Sequence, residues 1–500
     1  MTKADLPLED ARLATPERQP AVSARGEAGG SATSDVIAAE VLALKGTAAT
    51  NGIQTTRPSG PRTYYRFAAL ALITFVIAIS AGDRATLSIA GPHMSRDLGL
   101  SASRLGWLFS AFAWSYVIAQ VPSGWITDRF GTRPILFGGL ALWSMTTLLM
   151  CTIGWVAAPF VAMIVLRFLL GLFESPVGPT GTVVVAEWFP AQERGIAGGV
   201  ASTAPYASLV LFSPLMGWLD HRFGWEYIFG VMGGIGLVLA AVVALFYYSP
   251  LEHPRVSESE LEYIRAGGGL VGLATSGDET VPKRAAARFG LGSLFRSRML
   301  VGIFIAQYCI TSITWFFVTW FPSYLVKARG LSVMDASLIS TIPAVCGFAG
   351  GILTGFVSDW LLKRTNSLTI ARKVPITIGL GMTVLVIACN YTNSTPLIVL
   401  FMSAAFFGKG FGSLGFTVVA DTAPQELVGM TAGVLNALGN VGGIVAPVVI
   451  GYLVSASGSF TSALVYVGFN GVVAIASYWF VVGRIERFDP SRIADQRKSV

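Results

Sequence analysis

The sequence predicts an all-α integral membrane protein with twelve transmembrane helices in two pseudo-symmetric six-helix bundles. Three observations predict it: the composition, the recurrence of long apolar runs, and a motif that returns in the second half. Of the 500 residues, 53% are hydrophobic and 13% are charged. Soluble domains carry about 25% charged residues. The composition therefore excludes an ordinary soluble domain.

Apolar runs long enough to cross a bilayer, which takes about 20 residues, recur about twelve times along the chain. The predicted runs are 66–90, 101–127, 135–155, 159–183, 196–218, 225–248, 299–325, 332–361, 371–391, 396–419, 430–453 and 459–482. A long polar insert follows the sixth run. We therefore expect a disordered cytoplasmic tail (1–61), an N-terminal bundle (62–249), a cytoplasmic linker (250–298), a C-terminal bundle (299–484) and a cytoplasmic tail (485–500).

A short motif repeats at corresponding places in the two sets of runs. "GWITDRFGTRP" (124–134) stands between runs two and three, and "GFVSDWLLKR" (355–364) stands between runs eight and nine. Both contain Gly-x-x-x-Asp followed by basic residues. Such a parallel repeat is typical of transporters whose substrate binds between the two halves, near the middle of the membrane.

Lys and Arg collect in the loops on the N-terminal side of the predicted bilayer. By the positive-inside rule, both termini are then cytoplasmic. This distribution accounts for the net charge of +7, so the sequence does not indicate a nucleic-acid partner. The four cysteines lie in apolar segments without metal-ligand spacing, and we predict neither a metal nor a cofactor.

The segment "ISAGDRATLSIAG" places Asp83 and Arg84 side by side in the first apolar run. About 16 uncharged residues separate Arg66 from Asp83, which is about 24 Å of helix. Since the bilayer core is about 30 Å thick, both charges lie inside it. A charge there costs at least about 2.5–3.5 kcal/mol and marks a functional site facing a cavity. Adjacent residues point about 100° apart, so the two need not pair.

Two later runs carry further intramembrane charges. Arg167 and Glu174 in run four are two turns apart on one helix face. They form either a structural pair or a proton site in which Arg167 adjusts the proton affinity of Glu174. Lys409, in "FFGKGFG" of run ten, lies deep in the predicted membrane span. Its side chain could barely carry the ammonium group to the membrane interface, which favours a position at a cavity.

Polar residues in the apolar runs are candidates for contacts with a substrate. Tyr116 and Gln120 are four residues apart on one face of run two and can line a polar cavity, although packing would also explain the tyrosine. Gln307 in run seven and Asn436 in run eleven are similar candidates. With Arg84 and Lys409 they complete the predicted substrate-binding set.

The loop "GWITDRFGTR" resembles the signature of the major facilitator superfamily. The strings "GDRATLSIAG", "FSAFAWSYVIAQVPSGWITDRFG", "QYCITSITWFFVTWFPSYLVKARG" and "AFFGKGFGSLG" resemble its anion:cation symporter branch, above all bacterial glucarate/galactarate transporters and then galactonate transporters. The resemblance covers about residues 62–485. It implies proton-coupled import of sugar acids by alternating access in a bacterial inner membrane.

The resemblance also implies residue roles. Asp83 and Glu174 handle protons, Arg84 binds a substrate carboxylate, and the loop residues form a conformational gate. The gate set is Gly124, Asp128, Arg129 and Arg133, for which positive-inside topology is the simpler alternative. The partners that we expect are an organic acid, protons and the lipid bilayer, with the protein acting as a monomer.

Two positions depart from the pattern of these relatives. Ala81 replaces a tyrosine two residues before the Asp-Arg pair, and Pro205 replaces a glutamine in run five. Aldonates, hexuronates and aromatic carboxylates therefore stay open as substrates. A membrane sensor without transport is a further alternative, against which the intramembrane charges in both halves argue. An enzyme is least favoured, because the apolar runs contain no catalytic constellation and the three histidines fall outside them.

Overall fold

The computed structural model describes residues 61–271, 291–422 and 428–485. The predicted tails and the middle of the predicted linker lie outside the described residues. Within the described ranges the regular structure is entirely helical. The α-helices are α1 (Tyr65–Asp97), α2 (Ala102–Phe130), α3 (Thr132–Leu149), α4 (Pro159–Glu174), α5 (Val177–Trp188), α6 (Arg194–Arg222), α7 (Glu226–Phe246), α8 (Glu258–Ala266), α9 (Arg298–Trp315), α10 (Phe321–Arg329), α11 (Val333–Thr365), α12 (Leu368–Thr383), α13 (Leu385–Ala388), α14 (Thr395–Gly410), α15 (Leu414–Thr422), α16 (Val428–Ser457) and α17 (Thr461–Ala476).

The predicted membrane fold is confirmed. Eleven helical segments in the described ranges are long and apolar enough to cross a bilayer. The remaining predicted run is α2, whose 29 residues exceed the length of a span and which packs against α4 and α16. Helix α1 continues past the predicted end of the first run, so His93 lies inside a helix, and His221 lies in α6. Placing these two histidines outside the spans was wrong.

Three of the spans are interrupted near their centres. Helix α4 ends at Glu174 and α5 begins at Val177, with Pro176 between them. A 3₁₀ turn separates α14, which ends one residue after Lys409, from α15. A π-helical turn joins α9 to α10. Interruptions of this kind are typical of substrate and ion sites in transporters, and two of them directly follow a predicted site residue.

The two halves pack closely at the end of the bundle where α1 ends and α2 begins, which we call the closed end. A Cβ added at Gly106 of α2 would lie 2.6 Å from the carbonyl oxygen of Pro447 in α16. Ser110 donates to the carbonyl oxygen of Ile444 at 2.8 Å, and Ser88 donates to that of Thr319 at 2.8 Å. Small residues let the helix backbones approach closely, so the halves seal this end.

At the opposite end, which we call the open end, the described glycines of the same helices make no such close approach to the other half. A Cβ added at Gly124 or Gly198 in the N-terminal half would meet no described atom within 4 Å. The same holds for Gly355 and Gly433 in the C-terminal half. The space between the halves is therefore accessible from the open end.

Gly217 of α6 offers a test of the closed end. A Cβ at this position would lie 2.6 Å from the Ser337 side chain of α11. We expect Gly217→Ala to destabilise the protein by about 1–3 kcal/mol through overpacking, seen as a lower thermal midpoint in detergent. Gly198→Ala, on the same helix but at the open end, is the control. Equal midpoints for the two variants would contradict the tight packing at Gly217.

Candidate functional site

Asp83 is fully buried between α1 and α3. Its Oδ2 accepts a hydrogen bond from the indole N–H of Trp143 at 3.1 Å. Its Oδ1 has no hydrogen-bond partner among the described residues. A buried carboxylate with one unsatisfied oxygen is costly when it is charged, because the lost hydration is only partly replaced.

Glu174 and Arg84 form an ion pair across α4 and α1. Nε and Nη2 of Arg84 lie 2.7 and 2.6 Å from the same oxygen, Oε1 of Glu174. Ser80 donates to that oxygen at 2.7 Å, whereas Oε2 has no described partner. The Glu174 side chain is fully buried and the Arg84 side chain is 27% exposed. Arg84 therefore stands between Glu174 and the space between the halves.

Arg167 is also fully buried, but it has no comparable partner. None of its three guanidinium nitrogens has a hydrogen-bond partner among the described residues. Its guanidinium carbon lies 5.6 Å from the centre of the Phe112 ring. The structure thus pairs Glu174 with Arg84 of another helix rather than with Arg167 of its own helix. Arg167 can act on both carboxylates only through its electrostatic field.

A cavity of about 320 Å³ lies between the halves, beside Arg84. This volume is at the small end of the range for ligand pockets, about 300–1,000 Å³, and suits a ligand of metabolite size. The lining is mostly apolar, with two cations on opposite walls: Arg84 from α1 and Lys409 from α14. Among the described residues no carboxylate lies within ion-pair distance of Lys409, whose Nζ lies 5.3 Å from the centre of the Phe406 ring.

The predicted substrate-binding residues divide into two groups. Arg84, Gln307 and Lys409 line the cavity, as do the two departures, Ala81 and Pro205. Tyr116, Gln120 and Asn436 are not among its lining residues, and their contact with a substrate stays a prediction. The Tyr116 ring centre lies 4.9 Å from the Arg84 guanidinium, and Asn436 accepts from Asn440, which does line the cavity, at 3.4 Å. Tyr116 and Asn436 therefore lie next to residues of the cavity lining.

The predicted gate residues lie at the open end. Arg133 donates to the carbonyl oxygen of Ala244 at 2.8 Å, and its guanidinium lies 3.9 Å from the centre of the Tyr248 ring, both within the N-terminal half. The Arg129 guanidinium lies over the ring of Trp125 in its own helix, at 5.3 Å. The side chain of Asp128 is outside the described part of the chain. The described gate side chains thus bind their own half in this conformation.

Sequence reasoning missed several polar groups at the site. Trp143 and Ser80 bind the two buried carboxylates, and hydroxyl groups line the cavity wall contributed by the C-terminal half. These cavity hydroxyls belong to Thr311, Thr314 and Ser413. A further pair lies at the closed end, where Nδ1 of half-buried His93 is 2.6 Å from Oδ2 of buried Asp220. Ser80 could have been found, because it stands one turn before Arg84.

Comparison with known proteins identifies the family. The profile described as "Major Facilitator Superfamily" matches residues 73–371 and 367–499. The chain is 49% identical over 434 residues to the "Probable galactarate/D-glucarate transporter GudP" of Bacillus subtilis, covering 86% of this chain and 94% of that one. It is 45% identical over 438 residues to the Escherichia coli protein of the same name, covering 87% and 97%.

A more distant relative and two solved structures extend the comparison. The "D-galactonate transporter" of Escherichia coli is 37% identical over 424 residues, covering 84% of this chain and 96% of that one. The crystal structure of a D-xylose-proton symporter has a TM-score of 0.65 at 17% identity, covering 84% and 99%. An inward-facing bacterial homologue of the human lysosomal transporter Spinster has a TM-score of 0.67 at 16% identity, covering 86% and 100%. The chain therefore belongs to the major facilitator superfamily and is a multi-pass membrane transporter rather than an enzyme.

Proposed function

We propose that the protein imports sugar diacids, D-glucarate and galactarate, together with protons by alternating access. The observation that carries this proposal is the pair of cations, Arg84 and Lys409, on opposite walls of one small cavity. A dicarboxylate can meet one cation on each wall. The names of the relatives at 45–49% identity point to the same substrates.

The charge balance of the site supports cotransport with a proton. The buried carboxylates of Asp83 and Glu174 and the three cations of Arg84, Arg167 and Lys409 sum to +1. Protonation of Glu174 raises the sum to +2, and a bound dianion then brings it to zero. Burial of net charge is costly in a poorly solvated site, so the neutral complex is the favoured one to move across the membrane.

The Arg84–Glu174 ion pair supplies a physical link between the proton and the substrate. With both Nε and Nη2 on Glu174, Arg84 is poorly available to a second carboxylate. Protonation of Glu174 weakens that pair and frees the guanidinium for the substrate. Since each event favours the other, proton and substrate bind cooperatively, and such a coupling between two sites acts in both directions.

The distribution of basic loops supports a bacterial inner-membrane location with both termini in the cytoplasm. The open end is the end where α1 begins and α2 ends, so in this orientation the structure is open to the cytoplasm. The gate loop that contains Gly124, Asp128, Arg129 and Arg133 then lies on the cytoplasmic side. There it is available to pair the halves when the cavity opens outward.

The test is uptake into proteoliposomes that contain the purified protein as a monomer. Radiolabelled glucarate, galactarate, galactonate, a hexuronate and an aromatic carboxylate are each offered with and without an acidic outside. We expect concentrative uptake of the diacids that collapses when the pH gradient is dissipated. Uptake of no acid would overturn transport of this class. Uptake that does not depend on the pH gradient would overturn proton coupling but not transport.

The lining of the cavity supports one alternative substrate class, the aromatic carboxylates, which the same uptake panel tests. Tyr206, Trp315 and Phe416 line it, while Ala81 and Pro205 contribute no polar groups. Aromatic rings and small apolar side chains would suit an aromatic carboxylate better than a polyol chain. Preference for the aromatic acid in the uptake panel would decide for this alternative.

Lys409 provides a prediction about specificity. We expect Lys409→Asn to weaken diacid binding by about 1–3 kcal/mol, the range for a hydrogen bond to a charged group, and to leave monoacid binding nearly unchanged. The preference therefore shifts towards galactonate in competition uptake. Lys363→Asn, at an exposed position near the end of α11, is the matched control. An unaltered ratio of diacid to monoacid would mean that Lys409 does not contact the second carboxylate.

A further inference from the structure

A second cavity, of about 340 Å³, lies on the outer surface of the N-terminal half at the open end. Its lower walls are the first turns of α1 and the last turns of α7, which contribute Ala68, Leu72, Val242 and Phe246. The Phe246 side chain is 65% exposed. Because this surface belongs to membrane-spanning helices, the slot opens towards the lipid chains.

Aromatic and basic groups cover the slot where the chain leaves α7, and we call this cover, which contains His253 and Arg255, the roof. The His253 ring packs against three other rings, with centroid distances of 4.4 Å to Tyr65, 5.8 Å to Trp188 and 5.7 Å to Tyr248. Exposed Arg255 also lines the slot. Rings with a polar edge and basic side chains above an apolar groove are typical of the membrane–water interface.

The hydrogen bonds of the roof leave two donors available. The backbone N–H of Arg255 donates to Nδ1 of His253 at 3.2 Å, so the neutral ring carries its proton on Nε2. Burial lowers the pKa of His253, which favours that neutral, donating ring at pH 7. The Arg255 guanidinium has no ion-pair partner among the described residues.

One acidic group next to the roof, Glu260, already has polar partners of its own. The buried carboxylate of Glu260 in α8 accepts from Thr63 Oγ1 at 2.6 Å and lies 3.5 Å from Nη1 of Arg66. Arg133 adds a further cation on the Tyr248 ring. Among the residues that line the slot, Arg255 is a cation and none is a carboxylate, so the lining complements an anion held at the level of the headgroups.

We propose that this slot binds one anionic phospholipid, with its phosphate at Arg255 and His253 and an acyl chain between α1 and α7. The slot lies on the outer face of the N-terminal half and belongs neither to the central cavity nor to the gate. The proposal is therefore independent of the transported substrate. A zwitterionic lipid would offer the same chain but would bring its own cation towards Arg255.

The experiment counts the lipids retained by the purified full-length protein in native mass spectrometry, with phosphatidylglycerol or phosphatidylcholine added. We expect the wild type to retain one phosphatidylglycerol in preference to phosphatidylcholine. Arg255→Gln should weaken this retention about fivefold, which corresponds to the ~1 kcal/mol that one basic residue contributes at an anionic surface. Ala68→Trp, which fills the slot at an exposed position without changing charge, should abolish it.

Arg265→Gln removes an equal charge from exposed α8, outside the lining, and should leave retention unchanged. Thermal midpoints without added lipid identify any variant that fails to fold, and Arg255 is exposed enough for its replacement to be tolerated. Equal retention of phosphatidylglycerol by the wild type, Arg255→Gln and Ala68→Trp would overturn the proposal. Displacement of the lipid by millimolar glycerol phosphate would overturn it too, since the site would then take a free phosphate.

Discussion

Glu174→Gln should abolish accumulation driven by a pH gradient while sparing exchange of substrate across the membrane. The amide keeps the shape of the side chain but cannot release a proton. It also cannot hold Arg84 as a charged partner, so the guanidinium stays available to the substrate. Uptake of radiolabelled glucarate into proteoliposomes with an acidic outside measures the loss, and counterflow against internal glucarate measures the exchange that remains.

The companion variant is Asp83→Asn, which keeps an oxygen for the indole N–H of Trp143. Glu252→Gln, at an exposed position after α7, is the control for removal of a carboxylate and should transport normally. Concentrative uptake at the wild-type level by both Glu174→Gln and Asp83→Asn would defeat the assignment of proton coupling to these groups.

Arg84→Lys should lower the affinity for the substrate at least tenfold, or about 1.4 kcal/mol. Lysine keeps the charge but loses the planar fork that matches a carboxylate. It also cannot reproduce the two contacts that Nε and Nη2 make with Glu174. Binding of labelled glucarate to the purified variant gives the affinity, and uptake without a gradient provides a second measure.

Arg104→Lys, at an exposed position near the start of α2, is the matched control and should bind as the wild type does. The thermal midpoint of Arg84→Lys shows whether the variant still folds. A lower affinity in a folded variant can then be assigned to the lost contacts. Wild-type affinity in Arg84→Lys would assign a purely structural role to Arg84.

The charges inside the membrane were the most predictable part of the site. Asp83, Arg84 and Lys409 interrupt apolar runs in which a charge is expensive, so each stands out in a single sequence. Their depth follows from the helical rise, and the structure places Arg84 and Lys409 on the cavity. The fold followed from the same runs, because their lengths match a bilayer and their boundaries carry basic residues.

The pairing of those charges could not be predicted. The seven-residue spacing of Arg167 and Glu174 indicates neighbours on one face of α4, yet Glu174 binds Arg84 of α1. Which helix provides the partner depends on how the helices pack, and the distance between two helices cannot be read from a single sequence. The cavity hydroxyls could not be predicted for another reason. Ser and Thr in membrane helices often bond to the preceding turn, as Thr314 does with the carbonyl oxygen of Ile310, so their identity alone does not indicate a cavity.

The closed end also determines where the membrane voltage acts. A wet cavity conducts ions and the packed end does not, so most of the potential falls across the helices between Arg84 and Asp97, about 20 Å long. Moving one elementary charge through 100 mV is worth about 2.3 kcal/mol. In the proposed cycle the loaded site is neutral and the empty site carries +1. A negative cytoplasm therefore does not affect the inward step of the neutral, loaded carrier. It does hold the positively charged, empty carrier in the inward-open state. The return of the empty carrier to the outward-open state then limits turnover in an energised cell.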